Sequence, residues 1–254
     1  GSLLLEPATT NAFTYSNDFS QTAWTKDGID SPPPSGFDFP SDDEPDGGWR
    51  MQETATSEKH RVYRTGAWGA DDRTVSIYVK PDERTLFYIG NSTSSVGAYF
   101  NLTDGTVANI VDGVGKPVVA GIETFTDGWF RCWVTHKTDA GTSTLEFMPT
   151  TSTSSTTYTG DGTSGLFISS IQREDGQTYP TTYIPTLAAT VNRGIDTGIA
   201  TQPNDALYTD NEGTLFFEGR MVNDTDPVFS SWGLSDSASQ NRATLYYQDT
   251  RIRC

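Results

Sequence analysis

Apolar and polar residues alternate along several short segments of the chain, with the period of two that is typical of a β-strand. In residues 74–80 the alternation places Val75, Ile77 and Val79 on one face and Tyr78 on the other. Similar segments recur along the chain and are separated by turn residues rather than by helical patterns. Short strands at this spacing predict an all-β fold in which two sheets pack as a β-sandwich.

Turn residues separate the predicted strands. Asp104-Gly105 predicts a tight hairpin between the strands at 99–102 and 106–107. Residues 31–48 combine prolines, glycines and acidic side chains, a composition that sustains neither a helix nor a strand ladder. We interpret that segment as a surface loop, because its carboxylates lack the spacing of an EF-hand calcium loop.

The composition changes after Pro185, and this change predicts the end of a first domain. We expect a β-sandwich domain over residues 3–190, a polar, glycine-punctuated linker over 191–211 and a small C-terminal β unit over 212–254. The last unit offers about three strands, which rarely form a stable sheet alone. We therefore expect it to pack on the first domain or on neighbouring subunits, unless the chain is a fragment of a longer protein.

Length and charge limit the classes of protein to which the chain can belong. A chain of 254 residues with 34% hydrophobic residues is long and apolar enough to bury a core. Its formal net charge of -16 repels phosphate backbones and anionic lipids, so we expect no nucleic-acid partner. We also expect no membrane insertion, because no apolar run reaches the length of a transmembrane helix.

Four segments of the chain are similar, in their order, to those of a known family. They are FTYSNDFS at 13–20, VSIYVKPDERT at 75–85, DGWFRCWVT at 127–135 and YTGDGTSGLFISSIQREDGQTYPTTYIPT at 158–186. Together they resemble the jelly-roll, carbohydrate-binding-like module of bacteriophage tail fibres and other virion structural proteins. The residues after 212 resemble the opening of a concanavalin-like jelly roll that often follows this module.

The resemblance implies a function for the chain. It implies a structural protein of the virion, in a phage tail fibre or another surface structure, that binds host polysaccharide as a receptor or contacts other virion subunits. It implies neither an enzymatic activity nor a cofactor. Two alternatives stay open, namely an assembly protein whose subunits form a homotrimer, and a polysaccharide lyase or glycoside hydrolase.

The sequence offers little catalytic chemistry. It contains two histidines, His60 and His136, and no motif of a serine or cysteine nucleophile. We interpret both histidines as solvated residues at strand ends. The 33 acidic residues always supply some pair at the spacing that glycosidases use, so such pairs carry little information. Glu53, Glu123 and Glu146 lie in or beside predicted strands, and we interpret them as charges on the rim.

The candidate binding residues are mainly aromatic. In WFRCWVT the alternation directs Trp129, Arg131 and Trp133 away from the core, and Tyr78 lies on the corresponding face of its own strand. Indole faces stack on sugar rings, and arginine donates hydrogen bonds to sugar hydroxyls. These four residues are our candidates for glycan binding. The alternative is that they pack under a loop, under the C-terminal segment or against another subunit.

Thiol and metal chemistry change this picture little. Cys132 alternates with Phe130 and Val134, which predicts a buried free thiol. The resemblance implies a weak candidate for a structural calcium site, because related modules bind calcium between their first and last strands. Glu6 and Glu174 occupy those places in this sequence. A salt bridge or a solvated pair is the alternative for these two carboxylates.

Overall fold

The first unit of the chain is described almost completely. The computed structural model describes residues 6–30, 48–69, 71–137 and 140–196 and the backbone of residues 231–235, 242–248 and 251–253. The chain divides into two compact units, Gly1–Gly198 and Ile199–Cys254. The described residues form strands and one 3-10 turn, Thr126–Gly128, with no α-helix among them. Within this part of the chain, no helix could cross a bilayer.

The described part of the first unit contains sixteen strands, most of them short. In chain order they are β1 (Thr9–Asn11), β2 (Thr25–Asp27), β3 (Ile29–Asp30), β4 (Trp49–Glu53), β5 (Ser57–Glu58), β6 (Arg61–Trp68), β7 (Asp72–Pro81), β8 (Leu86–Asn91), β9 (Val96–Asn101), β10 (Thr106–Val111), β11 (Val118–Thr124), β12 (Phe130–Lys137), β13 (Gly141–Thr150), β14 (Tyr158–Thr159), β15 (Gly165–Asp175) and β16 (Val191–Arg193). The hairpin predicted at Asp104-Gly105 is confirmed, because β9 pairs with β10 and Gly105 has a φ of 67°.

Twelve of these strands form two six-stranded antiparallel sheets. Sheet 1 has the order β10-β9-β8-β13-β6-β2, and sheet 2 has the order β11-β12-β7-β15-β4-β3. Strands that are distant in sequence are neighbours in both sheets, since β13 lies between β8 and β6 and β15 lies between β7 and β4. A chain that alternates in this way between two packed sheets is a jelly roll. The predicted all-β sandwich is therefore confirmed.

The core lies between the two sheets, where alternate side chains of each strand meet. Val75 and Ile77 are buried in this core, whereas Tyr78 lies on the opposite face of sheet 2, as the alternation predicts. Cys132 is a buried free thiol in the same core, and burial raises its pKa well above the usual value. The other main core residues are Met51, Val79, Phe87, Ile89, Phe100, Val134, Leu145, Phe147, Leu166 and Ile168.

A bulge in β15 redirects the side chains in the second half of this strand. The pairing with β7 shifts in register between Ser169 and Gln172, and Ser170 adopts a left-handed backbone with a φ of 50°. Before the bulge, the even-numbered side chains Leu166 and Ile168 of β15 face the core. After it, the odd-numbered Ile171 does so instead. The Oδ1 of Asn17 accepts hydrogen bonds from the backbone N–H of Ser170 (3.1 Å) and the hydroxyl of Ser169 (2.8 Å). The N-terminal segment thus holds the bulge in place.

Asn11 joins the N-terminal strand β1 to two distant parts of the first unit. Its Nδ2 donates hydrogen bonds to the carbonyls of Ile171 (3.2 Å) and Ile184 (2.8 Å). Its Oδ1 accepts hydrogen bonds from the backbone N–H groups of Phe13 (3.1 Å) and Arg173 (3.2 Å). The side chain is fully buried, and these four bonds satisfy the amide completely.

The chain enters and leaves the first unit at the same place. β1 pairs antiparallel with β16, in a register that sets Thr9 opposite Arg193. The backbone N–H of Asp196 also donates to the carbonyl of Glu6 (3.1 Å). The sequence places a linker from residue 191, whereas residues 191–193 belong to the first unit. A strand of three mainly exposed residues carries no apolar alternation that could reveal it. The expected linker after Asp196 lies outside the described residues.

The second unit is described as a backbone of three strands. They are β17 (Ser231–Ser235), β18 (Arg242–Gln248) and β19 (Arg251–Arg253), which form an antiparallel sheet in this order. Residues 31–47 of the predicted surface loop lie outside the described residues. The similarity to a concanavalin-like module stays a prediction.

Both histidines are buried, which corrects their interpretation as solvated residues at strand ends. His60 places its Nδ1 2.6 Å from the carbonyl oxygen of Gly28 and packs its ring against Tyr158. His136 lies at the end of β12, opposite Arg73 of β7. Neither ring nitrogen of His136 has a hydrogen-bond partner among the described residues. The sequence pattern did not predict that either histidine is buried, because it shows where strands end but not which residues cover those ends.

The burial of His136 predicts a loss of stability in mild acid. Burial, with Arg73 and Lys116 nearby, lowers the pKa of His136 from 6.5 to about 4. The unfolded chain therefore takes up this proton as the pH falls below 6.5, whereas the folded chain does so only near pH 4. The free energy of unfolding should fall between these pH values by roughly 3 kcal/mol. Urea unfolding of the His136→Leu variant should lack this decrease, and an unchanged pH dependence would contradict the assignment.

The hydrogen bonds of Asn11 predict a large loss of stability on truncation. Asn11→Ala leaves buried backbone groups of Ile184 and Arg173 without their partners, so we expect a loss of about 2–5 kcal/mol in urea unfolding. Thr10→Ala is the matched control, because its hydroxyl bonds the exposed Asn192 side chain. We expect the control to lie within about 0.5 kcal/mol of the wild type. Equal losses for the two variants would contradict the role of Asn11.

Candidate functional site

The predicted binding residues lie on the outer face of sheet 2, but most of that face is covered. Residues 176–186, here called the exit strap, follow β15 and run back across the face. The hydroxyls of Thr74 and Thr135 donate to the strap carbonyls of Gln177 (2.7 Å) and Thr178 (3.1 Å). Outward-facing polar side chains of sheet 2 thus bond the backbone of the strap.

Trp129 and Tyr78 are packed under the exit strap. Together with Phe167 of β15 they form a small apolar cluster on the outer face, and Tyr183 of the strap packs against it. Trp129 has no exposed surface, and Tyr78 retains almost none. Burial accordingly raises the pKa of Tyr78. This cluster is a second, minor core that attaches the strap to the sheet.

Arg131 is also buried and serves the same attachment. Its Nη2 donates to the carbonyl of Thr181 in the strap (2.5 Å) and to the hydroxyl of Ser76 on β7 (3.1 Å). Its guanidinium lies over the ring of Tyr78, 5.4 Å from the centroid. The Nη2 of Arg131 therefore already binds protein groups. A sugar hydroxyl would have to displace these groups in order to bind it.

The structure corrects the expectation of an exposed aromatic strip for three of its four residues. The alternation assigns Trp129, Arg131 and Tyr78 to the correct face, but the exit strap shields them from solvent. In this conformation no sugar ring can stack on them. Their packing under a loop is one of the alternatives that the sequence left open.

Trp133 differs from these three residues, because its indole remains partly exposed. It lies over Gly121 of the neighbouring strand β11, where a Cβ atom would come within 2.7 Å of three indole atoms. A side chain at residue 121 would clash with the ring, so Gly121 leaves the space that the indole occupies over the sheet. Val119, Glu123 and Phe125 flank it and are all exposed. We call these five residues the Trp133 patch.

The Trp133 patch has the form of a shallow strip. Alternate residues of β11 point to the outer face, so the strip from Val119 to Phe125 is about 20 Å long. Phe125 packs edge-on against Tyr78, with ring centroids 5.1 Å apart, which connects the patch to the buried cluster. Glu123 follows Gly121 by two residues on the same face of β11. An apolar ring face with a nearby acceptor can bind a sugar that offers a C–H face and hydroxyl donors.

The two weak calcium candidates both bind protein groups instead. Glu174 accepts hydrogen bonds from the backbone N–H (3.1 Å) and the hydroxyl (2.5 Å) of Thr181. Glu6 accepts a hydrogen bond from the backbone N–H of Thr182 (2.7 Å) and forms an ion pair with Arg193. The two carboxylates therefore hold the exit strap and β16. Among the described residues no group of three or more metal-ligating side chains comes together.

Glu53 and Glu146 are buried, which corrects their interpretation as charges on the rim. Glu53 accepts hydrogen bonds from Arg84 and from the hydroxyl of Tyr158 (2.7 Å). Burial alone would raise the pKa of Glu53, but these bonds hold it below its usual value. Glu146 bonds Lys59 (2.9 Å) and Arg61 (2.6 Å) on the outer face of sheet 1. The cationic partners are distant in sequence, so no local motif could identify them.

No protein-family model and no curated protein matches the chain. The fold and the Trp133 patch are therefore the features that bear on function.

The positions of the two tryptophans predict unequal effects on stability. Trp129→Ala removes a fully buried ring and should cost about 3–5 kcal/mol of unfolding free energy. Trp133→Ala removes a ring with one solvated face and should cost less than half of that. Urea unfolding followed by circular dichroism measures both variants. Equal losses would contradict the difference in burial.

Proposed function

We propose that the chain is a non-enzymatic virion module, of the kind found in phage tail fibres, that binds a host surface glycan at the Trp133 patch. The observation that carries the proposal is the partly exposed indole of Trp133, which lies over Gly121. A jelly roll offers such a ring a rigid support, because β12 is paired on both sides. The ring is therefore held in position before a ligand binds.

The chemistry around Trp133 favours a neutral sugar as the ligand. The indole supplies an apolar surface for the C–H face of a sugar ring. Glu123, the one charged residue of the patch, accepts hydrogen bonds from hydroxyls and repels uronates and other acidic groups. The net charge of -16 on the whole chain adds to this repulsion. A neutral hexose polymer therefore fits the patch better than an acidic one.

A second candidate function is assembly with other subunits, and one observation favours it. Four of the seven large hydrophobic side chains that are exposed among the described residues lie between positions 110 and 125. They are Ile110, Val114, Val119 and Phe125. Ile110 and Val119 belong to the edge strands β10 and β11, and exposed apolar residues on neighbouring edges are typical of an interface. Glycan binding and assembly are compatible, because Ile110 and Val114 lie outside the patch.

Affinity electrophoresis in gels that contain neutral or acidic host polysaccharide tests the glycan proposal. We expect the neutral polymer to retard the wild-type protein, and Trp133→Ala to weaken this binding at least about tenfold, because stacking on the indole is lost. Tyr63→Ala is the matched control, since Tyr63 is a partly buried aromatic residue on the outer side of sheet 1. Wild-type protein that binds no polysaccharide, or equal effects of both variants, would contradict the proposal.

A further inference from the structure

The four edges of the two sheets are unequal. On one side of the sandwich the edge strands are β2 and β3, with three and two residues. On the other side they are β10 and β11, with six and seven residues. β10 contains an irregularity at Val107/Asn109 that interrupts its ladder. Short and bulged edges resist pairing with other strands, so β11 differs from the other three.

β11 is a long, regular and almost uncharged edge. It pairs with β12 in unbroken register over all seven residues, and no described strand pairs with its other side. It contains neither proline nor lysine, which commonly protect such edges. Val119 exposes 55% of its surface there. The N–H of Val118 on this edge already donates to the Oδ1 of Asp112 (2.7 Å). The remaining N–H and C=O groups of the edge can be satisfied by another extended strand.

The charges on β11 favour a second copy of the same chain as the partner. Between residues 118 and 124 the only charged side chain is Glu123, in a chain that carries 33 acidic residues. Two acidic chains can therefore approach at this edge with less repulsion than elsewhere. An antiparallel pair that uses the whole strand has its midpoint at Gly121.

We propose that β11 pairs antiparallel with β11 of a second copy, about a two-fold axis at Gly121. Each Val119 then lies opposite the partner's Glu123, so the two carboxylates are about 13 Å apart along the strands, beyond the screening length at physiological salt. Sheet 2 continues from one copy into the other. The pairing uses the edge of the strand and leaves the outer face of the Trp133 patch open.

The dimer would bring two Trp133 patches onto one continuous face. Each indole lies over its own Gly121, and the two glycines are opposite each other at the axis. A polymer that contacts both patches would gain affinity from the second contact without any new chemistry. The pairing itself does not depend on the proposed glycan binding, so each can be tested alone.

Multi-angle light scattering of the full chain tests the pairing. We expect a mass twice the 27.7 kDa of one chain at high micromolar concentration. Val119→Glu places a carboxylate opposite the partner's Glu123, so it should raise the Kd of the dimer at least about tenfold. Val119→Lys places an ammonium there, so it should preserve the dimer or strengthen it. The double variant Val119→Glu with Glu123→Lys should restore pairing.

Matched variants at Val114 control for net charge. This residue is fully exposed in the loop before β11 and lies outside the proposed ladder, so Val114→Glu and Val114→Lys should not change the mass. A wild-type chain that stays monomeric, a trimeric mass, or equal effects of Val119→Glu and Val119→Lys would overturn the pairing. A dimer that binds no polysaccharide would overturn only the proposed function, and a monomer that binds it would overturn only the pairing.

Discussion

Sheet 2 carries polar side chains on its outer face, and these need hydrogen-bond partners once the face is covered. The exit strap supplies them through its backbone, since its carbonyls accept bonds from Thr74, Thr135 and Arg131. The buried carboxylate of Glu174 binds the strap from the same face. Because unsatisfied buried polar groups are costly, the strap and the face determine each other's position. Everything that remains open to a ligand on this side, above all Trp133, lies where the strap does not reach.

Hydrogen bonds between distant residues give the first unit its long-range order. Asn11 connects β1 to the carbonyls of Ile171 and Ile184, which lie 160 and 173 positions further along the chain. Asn17 holds the bulge of β15, and that bulge changes which side chains of the strand face the core. Bonds of this kind close a large loop, so they fix one arrangement among many of similar apolar burial.

The sequence predicted the strands well where alternation is regular and the neighbours are local. The faces of Val75, Tyr78 and Trp129 follow from a period of two, and the hairpin at Gly105 follows from its turn residues. What the pattern could not predict is which segment covers a face. Alternation gives the direction of Trp129 and of Trp133 equally, yet the exit strap covers one and leaves the other partly open. Burial of Glu53 likewise depends on Arg84 and Tyr158, whose proximity is set by the fold alone.

The pairing of β1 with β16 has a mechanical consequence. Residues 6 and 196 leave the sandwich side by side, so a pulling force applied at these two points acts across the first hydrogen bonds of this short ladder. Such a load separates the bonds one after another, first between Glu6 and Asp196 and then from Thr9 and Arg193 onward, and does not shear the two large sheets. Under tension between these two points, the ends would part first while the jelly roll and its Trp133 patch stayed folded.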